Sequence, residues 1–165
     1  MTAPVTSITL DESLARAGPS AASFARLWNA LWQQDQLPDG LLELCRLTFA
    51  RLHRDEAELA AVNPQAGRRA DLDTLRHLVI EDKGHDSDAL SGGEKAVLLF
   101  AEYYWTDTQS IPAEVGEAVK AHYGEPGLDL LIEALGLIDG RIRSARCLSD
   151  MSAFRANQED LAHVD

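Results

Sequence analysis

The chain has 165 residues, and 45% of them are apolar, so it is long enough to bury the core of one ordinary domain. Asp and Glu number 27 against 15 Lys and Arg, which leaves a formal charge of −12. Because a surface this acidic repels phosphate backbones and anionic membranes, we expect neither nucleic acid nor a membrane as a partner.

The sequence also bears on the compartment. It has no N-terminal basic region followed by an apolar run, and no stretch of about 18 consecutive apolar residues, so we expect a soluble protein of the cytoplasm. Cys45 and Cys147 are far apart in sequence, and each lies at an apolar position of a helical pattern. They form neither a CxxC motif nor a disulfide framework, and we expect both to be buried, reduced thiols.

In chain order, the first periodic segment lies at about residues 20 to 36, where apolar side chains recur at spacings of three and four: Phe24, Leu27, Trp28, Leu31 and Trp32. This spacing predicts an amphipathic helix. A second helix is predicted after Asp39, a suitable N-cap, and it continues or restarts near Asp55. Asn63-Pro64 ends it, since proline disfavours helix in the residue before it.

Four more helical segments follow. Apolar periodicity predicts helices over residues 72–79, 96–104 and 115–122, then a break at residues 124–127 and a long final helix from Leu128 through Ile142. No alternating strand pattern appears, so we predict an all-α bundle of about six helices.

We divide the chain into three parts. Residues 1–37 are an N-terminal extension with one amphipathic helix, residues 38–148 form the helical domain, and residues 149–165 are a polar, loose C-terminal tail.

Three local motifs have structural explanations. Ser91 and Glu94 have the S-x-x-E spacing of a helix capping box. The acidic segment 81–88 does not match a calcium loop, because Val97 stands where the last carboxylate ligand belongs, so we expect a solvated loop. The basic run at residues 141–146 is expected near a helix C-terminus, where cations complement the helix dipole.

Three carboxylates are the candidate site. Asp55 and Glu58 are three residues apart on a predicted helix, and Glu43 lies twelve residues before Asp55. If the chain turns near His53, Asp55 and Glu58 fall in the first turn of a new helix, where the positive dipole end stabilises acids without any catalytic role.

The runs "LPDGLLELCRLTFARLHRDEAELAAV" and "LSGGEKAVLLFAEYYWTDTQSIPAEV", with the helical sequence after them, resemble the carboxymuconolactone decarboxylase and alkylhydroperoxidase D superfamily over about residues 38 to 147. The resemblance rests on the helix order, on Glu43, on the S-x-x-E cap before an A-E-Y segment, and on the Ile-Pro start of the next helix. It implies an alkylhydroperoxidase D-like helical bundle.

The resemblance implies a changed active site. In the peroxidase branch a Glu precedes a CxxC pair by twelve residues, and a His follows the pair by four. Here Glu43 matches the Glu, but Asp55 and Glu58 occupy the two cysteine positions and Val62 occupies the His position. Carboxylates cannot form a disulfide, so we expect no thiol peroxidase activity.

The decarboxylase branch of the superfamily also lacks the cysteine pair and has acids in this segment. A carboxyl group in an apolar pocket is a suitable general acid or base for proton transfer. However, Val62 again replaces the family histidine, and the acidic surface would not attract a dicarboxylate.

Three interpretations follow, and the first one ranks slightly ahead. It is a degenerate family member, without a cofactor or bound metal, that binds a small molecule or works through assembly. The second is a lyase-type proton-transfer enzyme whose candidate catalytic residues are Glu43, Asp55, Glu58 and His53. The third is a divalent-metal site made of the same four side chains.

Association with itself is the expected partnership, because family members assemble through their helices. Aromatic residues suited to an interface are Trp28, Trp32, Tyr103, Tyr104 and Trp105. Trp28 and Tyr104 lie on the apolar stripes of their helices, which favours a position in the core for these two.

Overall fold

The computed structural model describes residues 3–162, with side chains described through residue 154. The elements, in chain order, are α1 (Leu10–Leu14), a 3-10 turn (Ala15–Ala17), α2 (Pro19–Leu31), α3 (Leu41–Leu52), α4 (Glu56–Ala60), α5 (Leu72–Ile80), α6 (Gly92–Thr106) and α7 (Ala113–Ala162). Over these residues the fold is helical without a strand, which confirms the all-α prediction. None of the described helices is long and apolar enough to cross a membrane.

The central element is α3. Every residue from Leu41 to Ala50 is buried, because the helix packs against α5, α6 and α7. In the core its Phe49 ring stacks on the ring of Tyr104 in α6, with 6.3 Å between the centroids. A helix buried all round also carries its polar residues into the interior. This is how Glu43 comes to have no exposed side-chain surface.

The last helix is bent at one glycine. Gly124 has φ 69° and ψ 179°, a conformation that side chains larger than hydrogen strongly disfavour, and it divides α7 into two arms. The predicted break at residues 124–127 is therefore confirmed. The second arm continues to Ala162, so the tail expected to be loose is helical there, since no Gly or Pro follows Gly140 to stop it.

The N-terminal extension contains more structure than the sequence pattern indicated. The short helix α1 and the 3-10 turn precede α2, and α2 ends at Leu31 rather than near residue 36. Asp39 does not cap α3: the N-cap is Gly40, with φ 81°. The Asp39 carboxylate instead accepts a hydrogen bond of 2.9 Å from the backbone N–H of Arg68.

The two cysteines differ in exposure. Cys45 is buried in α3 as expected, but Cys147 is exposed, and that part of the prediction is wrong. Cys147 follows the buried Ala145 by two residues, about 200° around the helix, and so it lies on the outer side of α7.

Candidate functional site

The buried carboxylate Glu43 is held by an arginine on its own helix. Arg46 lies one turn further along α3, and neither side chain has any exposed surface. Arg46 Nε donates to Glu43 Oε2 at 2.8 Å, and Nη2 donates to Glu43 Oε1 at 2.7 Å. This is a two-point contact between a guanidinium and a carboxylate, which fixes both side chains.

Glu58 joins the same arginine from the next helix. Asp55 is the N-cap of α4, and its carboxylate accepts the backbone N–H of Glu58 at 3.0 Å. Glu58 lies in the first turn of the capped helix and is 1% exposed. Arg46 Nη1 then donates to Glu58 Oε1 at 2.6 Å and to the Glu58 carbonyl at 2.8 Å. One guanidinium therefore bridges Glu43 and Glu58.

Further residues complete what we call the buried ion network. Glu43 also accepts from Arg76 and, at 3.3 Å, from Asn63 Nδ2. Glu58 accepts from Ser7, whose carbonyl accepts from Arg141, and Arg141 pairs with Asp11 at 2.8 Å. Its charged members are three acids and three arginines, so their formal charges balance: Asp11, Glu43, Glu58, Arg46, Arg76 and Arg141.

The balance of charge keeps Arg46 ionised. Burial alone would lower the pKa of its guanidinium, but the hydrogen bonds and negative charges of Glu43 and Glu58 outweigh burial, so the pKa is raised above its ordinary value. A general acid or base must reach the proton it transfers in a substrate. Glu43 has no exposed surface, Glu58 is 1% exposed, and the carboxylates of both accept hydrogen bonds from Arg46.

Asp55 and His53 are not part of the network core. Asp55 lines an open groove of about 300 Å³ together with Arg54, Arg146 and Asp150. His53 Nε2 lies 2.8 Å from Asp139 Oδ1 and 3.2 Å from the indole nitrogen of Trp105. The four predicted site residues thus divide into a buried pair, a helix cap and a separate histidine.

The metal interpretation depends on the same four side chains. In the part of the chain that the structure describes, no group of three or more His, Cys, Asp or Glu side chains is placed to hold a metal ion. The acidic segment 81–88 is a mostly exposed loop, as predicted, in which Asp82 pairs with Arg51 at 2.8 Å and His85 lies 3.3 Å from Glu102.

The basic run at residues 141–146 has a different role from the one expected. It lies in the middle of the second arm of α7, so the helix-dipole explanation is wrong. Arg141 is buried beneath the N-terminal segment, Arg143 pairs with Asp139 at 2.6 Å, and Arg146 donates to the His53 carbonyl at 2.5 Å. Arg141 and Arg146 therefore connect α7 to other parts of the chain, whereas Arg143 pairs within the helix.

The aromatic residues are also divided between roles. Trp28 is buried, and its ring lies under the Arg141 guanidinium at 4.4 Å, so it belongs to the interior and not to an interface. Trp32 meets Trp28 edge to face, with 4.9 Å between the centroids. Tyr103 is among the exposed large side chains, whereas Tyr104 is partly buried against the core.

Sequence reasoning named the acids but missed the arginines that hold them. Arg46 had a detectable signal, because Glu43 and Arg46 are the charged pair, three apart, in the otherwise apolar run "LLELCRL". Ser7 and Arg141 had no such signal, since 134 residues separate them.

Comparisons with protein-family models, with curated proteins and with solved structures give no match for this chain.

Proposed function

We propose that this protein is a divergent, non-catalytic member of the carboxymuconolactone decarboxylase and alkylhydroperoxidase D superfamily that works through assembly with itself in the cytoplasm. The observation that carries the proposal is the bridging of Glu43 and Glu58 by Arg46 in the interior. The resemblance places the reaction at the segment that contains Glu43 and Glu58. In this chain Arg46 neutralises both carboxylates, and their burial prevents contact with a substrate.

The thiols give no support for a redox cycle. Burial raises the pKa of the Cys45 thiol to about 12, so almost no thiolate forms at neutral pH. Cys147 is on the outer side of α7 and has neither a CxxC partner nor a place in the buried ion network. A peroxidatic cycle requires a reactive thiolate and a resolving thiol beside it.

A small-molecule ligand is less favoured than assembly. Ligand sites are mostly apolar hollows with a few polar groups. The groove beside Asp55 is open and mixes arginine and carboxylate side chains, which suits solvent better than an apolar molecule.

Assembly is favoured by apolar side chains left on the surface. Leu99 and Tyr103 lie one turn apart on the outer side of α6, 39% and 36% exposed, and Ile132 on α7 is 46% exposed. Single exposed apolar side chains are ordinary, whereas neighbouring ones can form a patch that marks a contact between subunits, and Leu99 with Tyr103 is such a neighbouring pair.

Light scattering after size exclusion tests the assembly. We expect the wild-type chain to elute as a dimer or larger species at micromolar concentration, and Leu99→Lys with Tyr103→Lys to elute as a monomer. Leu27→Lys is the matched control, because Leu27 is 42% exposed on α2, away from α6, and its substitution should leave the mass unchanged. A wild-type monomer would reject the assembly.

A peroxide assay with a dithiol reductant tests the absence of redox function. We expect no saturable rate, and Cys147→Ser should behave like the wild-type chain. A saturable rate that depends on either cysteine would reject the non-catalytic assignment.

A further inference from the structure

Two buried, oppositely charged side chains, Glu58 and Arg141, bind the N-terminal segment. Ser7 has no exposed surface and sits between Glu58 of α4 and Arg141 of α7. Its backbone N–H donates to Glu58 Oε2 at 2.7 Å, and its hydroxyl donates to Glu58 Oε1. Its carbonyl accepts from Arg141 Nε at 3.0 Å and from Nη2 at 2.7 Å. Every polar group of this one residue is therefore bound.

The residues after Ser7 are recognised as well. Leu10 has no exposed surface, and the Asp11 carboxylate pairs with Arg141 Nη1 at 2.8 Å. Two hydrogen bonds join Thr6 and Thr9. The Thr6 N–H donates to Thr9 Oγ1 at 3.0 Å, and the Thr9 N–H donates to the Thr6 carbonyl at 3.1 Å. These bonds shape the turn that presents Ser7, Leu10 and Asp11 on one side.

The receiving side chains are part of a built site. Glu58 is 1% exposed and Arg141 has no exposed surface, and their partners are 51 and 134 residues away in sequence. With the segment in place, Glu58 accepts from two donors of Ser7 and Arg141 donates to one acceptor of Ser7, and such partners stabilise buried charges. A serine residue in a peptide offers this set.

The segment is joined to the bundle by an exposed connection. The 3-10 turn Ala15–Ala17 and Gly18 are exposed, and Gly18 has φ 76° with no other side chain near its Cα. A glycine in this conformation can change direction at little steric cost. The segment is thus arranged like a tethered ligand: it contacts α2 and α7 through α1, and Ser7 binds Glu58 of α4 and Arg141 of α7.

We propose that Glu58 of α4 and Arg141 of α7 form a peptide-recognition site for the pattern Ser-x-x-Leu-Asp, and that the chain's own residues 7–11 fill it as a releasable ligand. A tether of this kind gives an effective concentration in the millimolar range, so a free peptide competes poorly until the tethered copy is weakened. This inference is independent of the assembly proposed above.

A binding experiment with the full-length protein tests the site. The probe is a fluorescein-labelled peptide of residues 3–14, and the protein variant is Ser7→Ala with Asp11→Ala, which weakens the tethered copy. We expect fluorescence anisotropy to show the probe binding this variant at least about tenfold more tightly than the wild-type chain. A control probe with Ala at both positions should bind about tenfold or more weakly, because it lacks the hydrogen bond to Glu58 and the ion pair with Arg141.

Two results would contradict the proposed site. One is that the probe does not bind the variant at concentrations up to about 1 mM. The other is that both probes bind it with equal affinity. If the variant does not fold, hydrogen exchange of the wild-type chain decides instead. We then expect the Ser7 amide, which donates to Glu58, to exchange through a local opening, much faster than the amides of α3. Exchange of the Ser7 amide only with global unfolding would show that the segment is not releasable.

Discussion

At the scale of single residues, Arg46 explains why the acids of this segment are interior and charged. A guanidinium has five N–H donors. All of them have acceptors here, on the carboxylates of Glu43 and Glu58 and on the carbonyls of Glu58 and Ala61. Without this arginine, Glu58 would be a buried carboxylate with only the uncharged donors of Ser7, which proteins avoid.

Glu94 predicts an acid-sensitive contribution to stability. Burial alone would raise the pKa of its carboxyl, but Arg69 and the Ser91 cap hold it below its ordinary value. Because the folded pKa is depressed, this stabilisation is present above the unfolded value of about 4.3 and is lost as the pH falls through the folded pKa. We expect Glu94→Gln, which keeps the cap, to flatten the fall in unfolding free energy below about pH 5.

Urea denaturation at a series of pH values measures this change in slope. Glu133→Gln, which removes one exposed acid from α7, is the control and should keep the wild-type slope. If the Glu94 variant also keeps that slope, Arg69 does not stabilise the carboxylate.

The two cysteines should react in a fixed order. At pH 8 we expect one fast-reacting thiol per folded chain, Cys147, because it is exposed. Cys45 should react only with denaturant present, since burial raises its pKa to about 12. An Ellman assay on the wild-type chain and on Cys147→Ser measures this order. Two fast thiols in the folded wild-type chain would show that α3 is accessible at Cys45.

At the scale of helices, the bend in α7 depends on Gly124. The conformation at Gly124 is reached almost solely by glycine, so Gly124→Ala should lower the free energy of unfolding by about 1–3 kcal/mol. Gly140→Ala is the matched control on the same helix, because Gly140 has open space around it and should gain up to about 1 kcal/mol. Chemical denaturation measures both, and equal effects would mean that the bend is not strained for alanine.

Helices were predictable where the evidence for them was local. Gly124 and the Ser91–Glu94 capping box are short-range signals, and the structure has both. The N-cap at Asp39 was wrong, because its carboxylate is used by Arg68, 29 residues away. The tail was expected without regular structure, but α7 runs through it to Ala162, since a polar sequence without Gly or Pro can extend an existing helix.

At the scale of the whole molecule, the sequence revealed the acids of the candidate site but not their environment. Apolar periodicity places Glu43 on α3, but burial on all sides of α3 results from the packing of α5, α6 and α7 around it. The link from Glu58 through Ser7 to Arg141 joins both ends of the chain, and no local pattern encodes such a contact.

The formal charge of −12 predicts how assembly responds to salt. Two chains of this charge repel each other, and the screening length shortens from about 10 Å at 0.1 M salt to about 3 Å at 1 M. We therefore expect association through the apolar residues of α6 to tighten as NaCl rises. Sedimentation velocity at low and high salt measures this, and weaker association at high salt would indicate an interface held by ion pairs.

The central claim is that Glu58 and Arg46 hold the fold together, and a double-mutant cycle between them tests it most directly. From urea denaturation we expect Arg46→Met and Glu58→Gln each to lower the free energy of unfolding by about 3–5 kcal/mol, because each breaks the buried ion pair and removes one of its two charges from the balanced network. The double variant should lose less than the sum, with a coupling energy of about 1–3 kcal/mol. Additive losses, or a Glu58→Gln chain as stable as the wild type, would contradict the account.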